Sequence, residues 1–236
     1  MNLLLRIFAV GTLLTAAHTF AASAFEGRVS LTMSDSKGRS HTINYAMKGR
    51  LMRMDMDAEG HSMSTIMDMD KLQMMMLMPQ QSMYMVMPIK GVTDAAQKQS
   101  GEHPYDSDVE KTGRSEKILG YSCDEYVMTD KNTGHKTNLW LAEGLGTFMG
   151  LGSGGGGPMM GARASSPAAS WESKFKGKSG FPLRVVTHDA GGKEQFKMEA
   201  TKIEPGSLPD DLFVPPAGYK KFQMPDLGGL NPFRQG

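Results

Sequence analysis

The sequence predicts a mainly β fold, a single antiparallel sheet that is strongly curved or partly closed. Three observations lead there. Roughly ten segments alternate apolar and polar side chains with the period of two that a half-buried strand requires. Turn residues punctuate them at short intervals, and few stretches carry a helical period. Beyond an N-terminal leader, about 200 residues remain, enough for one sizeable domain with its own core.

Residues 1–24 read as a secretory signal peptide. Arg6 supplies a short positive region, Ile7 to Ala17 an apolar core, and Ala22-Ser23-Ala24 a small-x-small cleavage site. The apolar run is too short and too interrupted to prefer as a membrane span. No cysteine stands at the expected mature N-terminus to take a lipid anchor. The expectation is a soluble, exported chain, periplasmic in a diderm bacterium.

Glu26 to Ser34 alternates, and Asp35-Ser36-Lys37-Gly38 reads as a hairpin turn. His41 to Met47 follows, with Ile43, Tyr45 and Met47 on one face. After Gly49, the run Arg50 to Asp57 sets Met52, Met54 and Met56 on one face and Leu51, Arg53, Asp55 and Asp57 on the other. Ala58-Glu59-Gly60 is the next turn and His61 to Asp68 the next strand. Leu72 to Met78 and Met83 to Met87, joined by Pro79-Gln80-Gln81, carry apolar residues on both faces. Such strands are covered on both sides, and Val92 to Ser100 is the expected local cover, a weakly helical stretch.

Glu102 to Asp108 is polar and contains a proline, as a linker loop does. A second strand group comprises Glu116 to Leu119, Tyr121 to Thr129 and His135 to Ala142. Residues 144–167 contain four consecutive glycines with flanking serines, and burial cannot offset their ordering entropy, so a mobile loop is expected. It lacks the Gly-Lys-Ser/Thr ending of a phosphate-binding loop. Trp171 to Phe175 resumes regular structure. Phe181 to His188 and Lys193 to Glu204 form a hairpin. Leu208 to Tyr219 looks like one helical turn and a docking segment. The domain is expected over 25–225, with 226–236 a disordered tail.

Fourteen of the 22 methionines fall between Met47 and Met87. Three triplets stand at every second position: Met52, Met54 and Met56; Met74, Met76 and Met78; Met83, Met85 and Met87. Each triplet projects to one sheet face. Thioethers are flexible and apolar, and they are also soft ligands for monovalent copper. The face therefore packs an irregular core, lines a cavity for a greasy ligand, or holds a soft metal.

Composition removes other classes. Without Arg6 the basic residues number 25, equal to the 25 acidic ones, and nothing in that balance points to nucleic acid. Cys123 is the single cysteine, so no intrachain disulfide can form; it is either a buried hydrophobe or a reactive thiol. His41, His61, His103, His135 and His188 match no zinc-ligand spacing. The adjacent carboxylates Asp68 and Asp70, or Asp210 and Asp211, fit turns and caps better than acid–base work, and no nucleophile motif appears. No enzyme and no cofactor is expected.

Several local patterns carry a family resemblance. They are Phe25-Glu26-Gly27, Ile118-x-Gly120-Tyr121-x-Cys123-x-x-Tyr126, Trp140, Gly180-Phe181-Pro182-Leu183-Arg184 and Leu212-Phe213-x-Pro215-Pro216-x-Gly218-Tyr219. Together they resemble the bacterial domain-of-unknown-function family 4412, whose members are similar to the periplasmic lipoprotein carrier LolA and the sigma-factor regulator RseB. The resemblance implies a LolA-like half-barrel, a curved sheet with an apolar concave face covered by short helices or loops. It implies no activity, because the family has none assigned.

Three functional expectations follow. A hydrophobic cavity lined by Met52, Met54, Met56, Met74, Met76, Met78, Met83, Met85 and Met87 would bind a lipid or other hydrophobic small molecule. A soft-metal site for Cu(I) or Ag(I) would use Met52, Met54 and Met56 with His61 and Met63 across the turn. An envelope-stress or protein-interaction module would dock through Phe148, Met149, Met159 and Met160 of the Gly-rich loop, whose alternative is a plain spacer.

Overall fold

The computed structural model describes residues 25–58, 61–89, 107–146, 148 and 180–222. Two antiparallel meanders make its sheet. The first runs through β1 (Glu26–Asp35), β2 (Ser40–Lys48), β3 (Leu51–Ala58), β4 (His61–Asp68), β5 (Gln73–Met78) and β6 (Met83–Pro88). The second runs through β7 (Ser107–Ile118), β8 (Tyr121–Asp130), β9 (Lys136–Ala142), β10 (Phe181–His188) and β11 (Glu194–Pro205). Pairing of β1 with β11 fuses them, and the two-residue β12 (Lys220–Lys221) adds in parallel to β6. The resulting order is β12-β6-β5-β4-β3-β2-β1-β11-β10-β9-β8-β7, a single open sheet of twelve strands.

The sheet is curved, and aromatic side chains show by how much. Tyr45 on β2 and Phe181 on β10 are three strand steps apart, about 14 Å in a flat sheet. Their ring centroids nevertheless lie 5.8 Å apart, edge to face. The face they share is therefore concave. Bulges in β7, β10 and β11 supply extra bending, and Pro182 sits at one of them, where a strand tolerates a residue without an N–H.

Strand positions follow the alternation closely, and β4 and β10 have the expected bounds. The second strand group departs from expectation at β7. The alternation predicts only Glu116 to Leu119 there, yet the strand begins at Ser107 and runs for 12 residues. It is the outer edge of the sheet and exposed along most of its length, so it has no apolar period to read. Its charges and its bulge are the usual protection of an edge against further pairing.

The expected cover at Val92 to Ser100, the strand at Trp171 to Phe175, the leader 1–24 and the tail 226–236 all lie outside the described residues. No helix among the described residues is long and apolar enough to cross a membrane.

Candidate functional site

Cross-strand register turns the methionine triplets into rows. Met47 on β2 pairs with Met52 on β3, Met52 with Met67 on β4, Met67 with Met74 on β5, and Met74 with Met87 on β6. Five thioethers thus stand side by side across five strands, a span of about 19 Å. All five are buried, between 3% and 7% exposed. The next row is Tyr45, Met54, Thr65, Met76 and Met85, again one residue per strand. Beyond it Ile43, Met56 and Met63 are paired, as are Met78 and Met83. Because Tyr45 belongs to this face, the rows line the concave side.

All nine expected lining residues therefore share one surface. Met52, Met54, Met56, Met74, Met76 and Met87 are buried, and Met78, Met83 and Met85 are half-buried. Of the expected metal set, Met56 and Met63 face each other across β3 and β4, while the His61 side chain is outside the described residues. Sequence reasoning leaves Met47, Met67 and Thr65 out of the lining. Met67 carries a readable signal, since Met63, Thr65 and Met67 alternate along β4.

Thr65 is the unusual member. It is 1% exposed, and its Oγ1 has no hydrogen-bond partner among the described residues. Its strand neighbours on either side are Met54 and Met76, neither of which can donate to it. A buried hydroxyl left unpaired costs roughly 1–3 kcal/mol of desolvation.

The concave side is also touched by the start of the Gly-rich stretch. Leu145 is fully buried, and Phe148 packs its ring 5.7 Å from Tyr45 and 5.2 Å from Phe181. Phe148, expected as an exposed docking residue, is half-buried here because this aromatic trio holds it. Met149, Met159 and Met160 lie outside the described residues.

The convex face of the same strands is closed by the C-terminal strap. Ala46, Ile66 and Leu77 form a second cluster with Leu208 and Phe213, and Met75, Tyr84, Leu212 and Tyr219 pack around it. Polar clasps fix the strap. Leu208 N donates to Glu26 Oε1 at 2.6 Å, while Lys48 Nζ donates to Leu208 O and pairs with Asp210 at 2.7 Å. The Leu208 hydrogen bond is the main reason the Glu26 carboxyl lies below its ordinary value. Arg53 donates to Leu212 O at 3.1 Å and is itself held by Asp55.

The remaining chemical groups have structural roles. Asp68 Oδ1 caps the turn by accepting from Asp70 N and Lys71 N, and its Oδ2 accepts from Lys71 Nζ at 2.7 Å. That ammonium, more than the backbone donors, holds the Asp68 carboxyl below its usual range. Cys123 is buried, donates weakly to Tyr121 O, and has its thiol pushed up by burial, so it packs as a hydrophobe. Glu125 is 2% exposed, and burial alone would raise its carboxyl. Hydrogen bonds from Thr112, Asn138 and Arg114 outweigh that and lower it instead.

The quoted family patterns also have structural jobs. A Cβ on Gly27 would meet Glu204 O at 2.4 Å, so glycine lets β1 approach β11. Arg184 stacks over Trp140 at 5.3 Å and bridges Glu116 and Glu199.

The chain belongs to the family described as a domain of unknown function, DUF4412, whose model matches residues 25–219. No curated protein matches it. Among solved structures it is similar to an uncharacterized conserved protein from Thermus thermophilus, at 10% identity and a TM-score of 0.46, covering 84% of this chain and 90% of that one. It is also similar to PNGF-II, at 13% identity and a TM-score of 0.44, covering 84% of this chain but only 30% of that one. A third is the LolA superfamily protein NE2245 from Nitrosomonas europaea, at 12% identity and a TM-score of 0.32, covering 83% of this chain and 91% of that one.

Proposed function

We propose that this is an exported, periplasmic, non-enzymatic binding protein whose concave methionine face takes up a lipid or another hydrophobic small molecule. One observation carries the reading: the methionine rows surround a buried hydroxyl, Thr65, that no described protein group satisfies. Buried polar groups are almost always paired. An amphiphile with a hydroxyl, carbonyl or carboxyl group would pair it while its apolar part displaces thioethers.

Methionine suits that exchange. Three rotatable bonds let it repack around a guest, where Leu or Ile would have to be expelled from a rotamer well. The half-buried Met78, Met83 and Met85 mark the side from which a guest would enter. On the convex face the strap already occupies the apolar surface, which leaves the concave face as the one to bind.

Native mass spectrometry of mature chain purified from the envelope tests the reading. A discrete added mass that organic extraction removes, and that chromatography identifies as a lipid, is the expected result. A chain that is empty from every preparation and does not displace a bound fatty-acid probe would end it.

A further inference from the structure

We propose that the rim of the methionine face binds one soft monovalent cation, Cu(I) or Ag(I), through three neighbouring thioethers of the row Met56, Met63, Met78 and Met83. This site is additional to hydrophobic-ligand binding and does not depend on it.

Register builds the ligand set. Met56 faces Met63 across β3 and β4, and Met78 faces Met83 across β5 and β6. The β4–β5 ladder pairs Ser64 with Leu77, and one further step in the same register sets Met63 opposite Met78. Four thioethers from four consecutive strands therefore form one transverse row beside the hairpin turns.

Spacing favours this row over a single-strand triplet. Directly opposed residues on neighbouring strands have Cα atoms about 4.5–5.5 Å apart, against about 7 Å for residues i and i+2 along one strand. Long, flexible methionine side chains close the shorter gap onto one ion readily. The Met52, Met54 and Met56 triplet must bridge the longer gap twice.

Access separates this row from the parallel one through Met52, Met67 and Met74. Those three are buried, whereas Met63, Met78 and Met83 are half-buried and reachable by an ion from solvent, with Met56, itself buried, closing the inner end of the row. An ion held there keeps water on one side, so its charge is never fully desolvated. Neutral thioethers select soft Cu(I) and Ag(I) over hard cations. Among the described residues no group of three or more His, Cys, Asp or Glu side chains could hold a metal ion, so no harder site competes within them.

One neighbour opposes the cation. Lys220 on β12 is in register with Met83 and exposed, so its positive charge lies on the strand beside the rim. Removing it should tighten binding, the opposite of what loss of a structural residue does.

Ag(I) titration of the mature chain by calorimetry is the test, with Cu(I) under ascorbate against a chelating competitor as the second readout. The wild type and Cys123→Ala are expected to bind one ion equally. Met56→Leu/Met63→Leu/Met78→Leu should weaken binding about 100-fold, the upper end of what even supporting residues of a metal site cost. Met52→Leu/Met67→Leu/Met74→Leu removes as many thioethers from the buried row and should leave affinity unchanged. Lys220→Ala should raise it. Met-to-Leu changes conserve volume; should the rim triple fail to fold, Met63→Leu alone must weaken binding about tenfold. Rim variants that bind like wild type, equal losses from both triples, or dependence on Cys123 would each overturn the site.

Discussion

Thr65 is where a single side chain says most. Its hydroxyl is buried without a partner among the described residues, in the middle of a thioether surface, so the empty protein carries a penalty that a bound polar group would relieve. Thr65→Val removes the unpaired oxygen at nearly constant shape. Thermal or urea unfolding of the ligand-free variant should show stability raised by about 1–3 kcal/mol, because the desolvated group is gone. The same variant should bind an amphiphile less tightly. A clear loss of stability would mean that the hydroxyl is already satisfied. Met75 is the natural internal control, since it is flanked by Met74 and Met76 but points to the convex side under the strap.

Single elements explain how that face is held in place. The strap from Leu208 to Tyr219 is clasped by Arg53, and Arg53→Met removes the bond to Leu212 O while keeping the apolar stem. A loss of about 1–3 kcal/mol in urea unfolding, with faster proteolysis of the C-terminal segment, is expected. At the far edge, the β7 bulge around Gly113 turns Arg114 back onto buried Glu125. The folded Glu125 carboxyl titrates below its ordinary 4.5, so its pairing stabilises the fold above that value and fades as pH falls through the lower one. Arg114→Met should therefore cost about 1–2 kcal/mol at neutral pH, reduced for the exposure of the arginine. The gap to wild type should close on acidification below about pH 4.5, followed by denaturation curves at several pH values. These elements differ in how far the sequence exposes them. Alternation places β3 and β4 by one apolar face, and the period of two sets Met74 and Met75 on opposite faces, but β5 and β6 are apolar on both, so it does not tell which face is concave. It cannot reveal β7, whose both sides are solvated, nor which methionine stands beside which. The rows depend on cross-strand register, and turn lengths and packing set that between strands.

At the scale of the whole molecule, two meanders joined at β1 and β11 curl around one core that reaches from Met87 at one side to Cys123 at the other. Among the described residues the first meander brings eight buried methionines to that core, and the second brings two, Met128 and Met198, among Leu139, Leu183 and Val185. Adaptability is therefore concentrated in one half of the concave face, against a stiffer second half. The most direct measurement is a fatty-acid titration of protein carrying carbon-13 at the methionine methyl groups, observed by NMR. Methyl signals of Met52, Met54, Met56, Met74, Met76, Met85 and Met87 should shift together and saturate, while Met75 stays in place. Signals that do not move at high ligand concentration, or a Met75 shift as large as the others, would contradict a binding surface on the concave face.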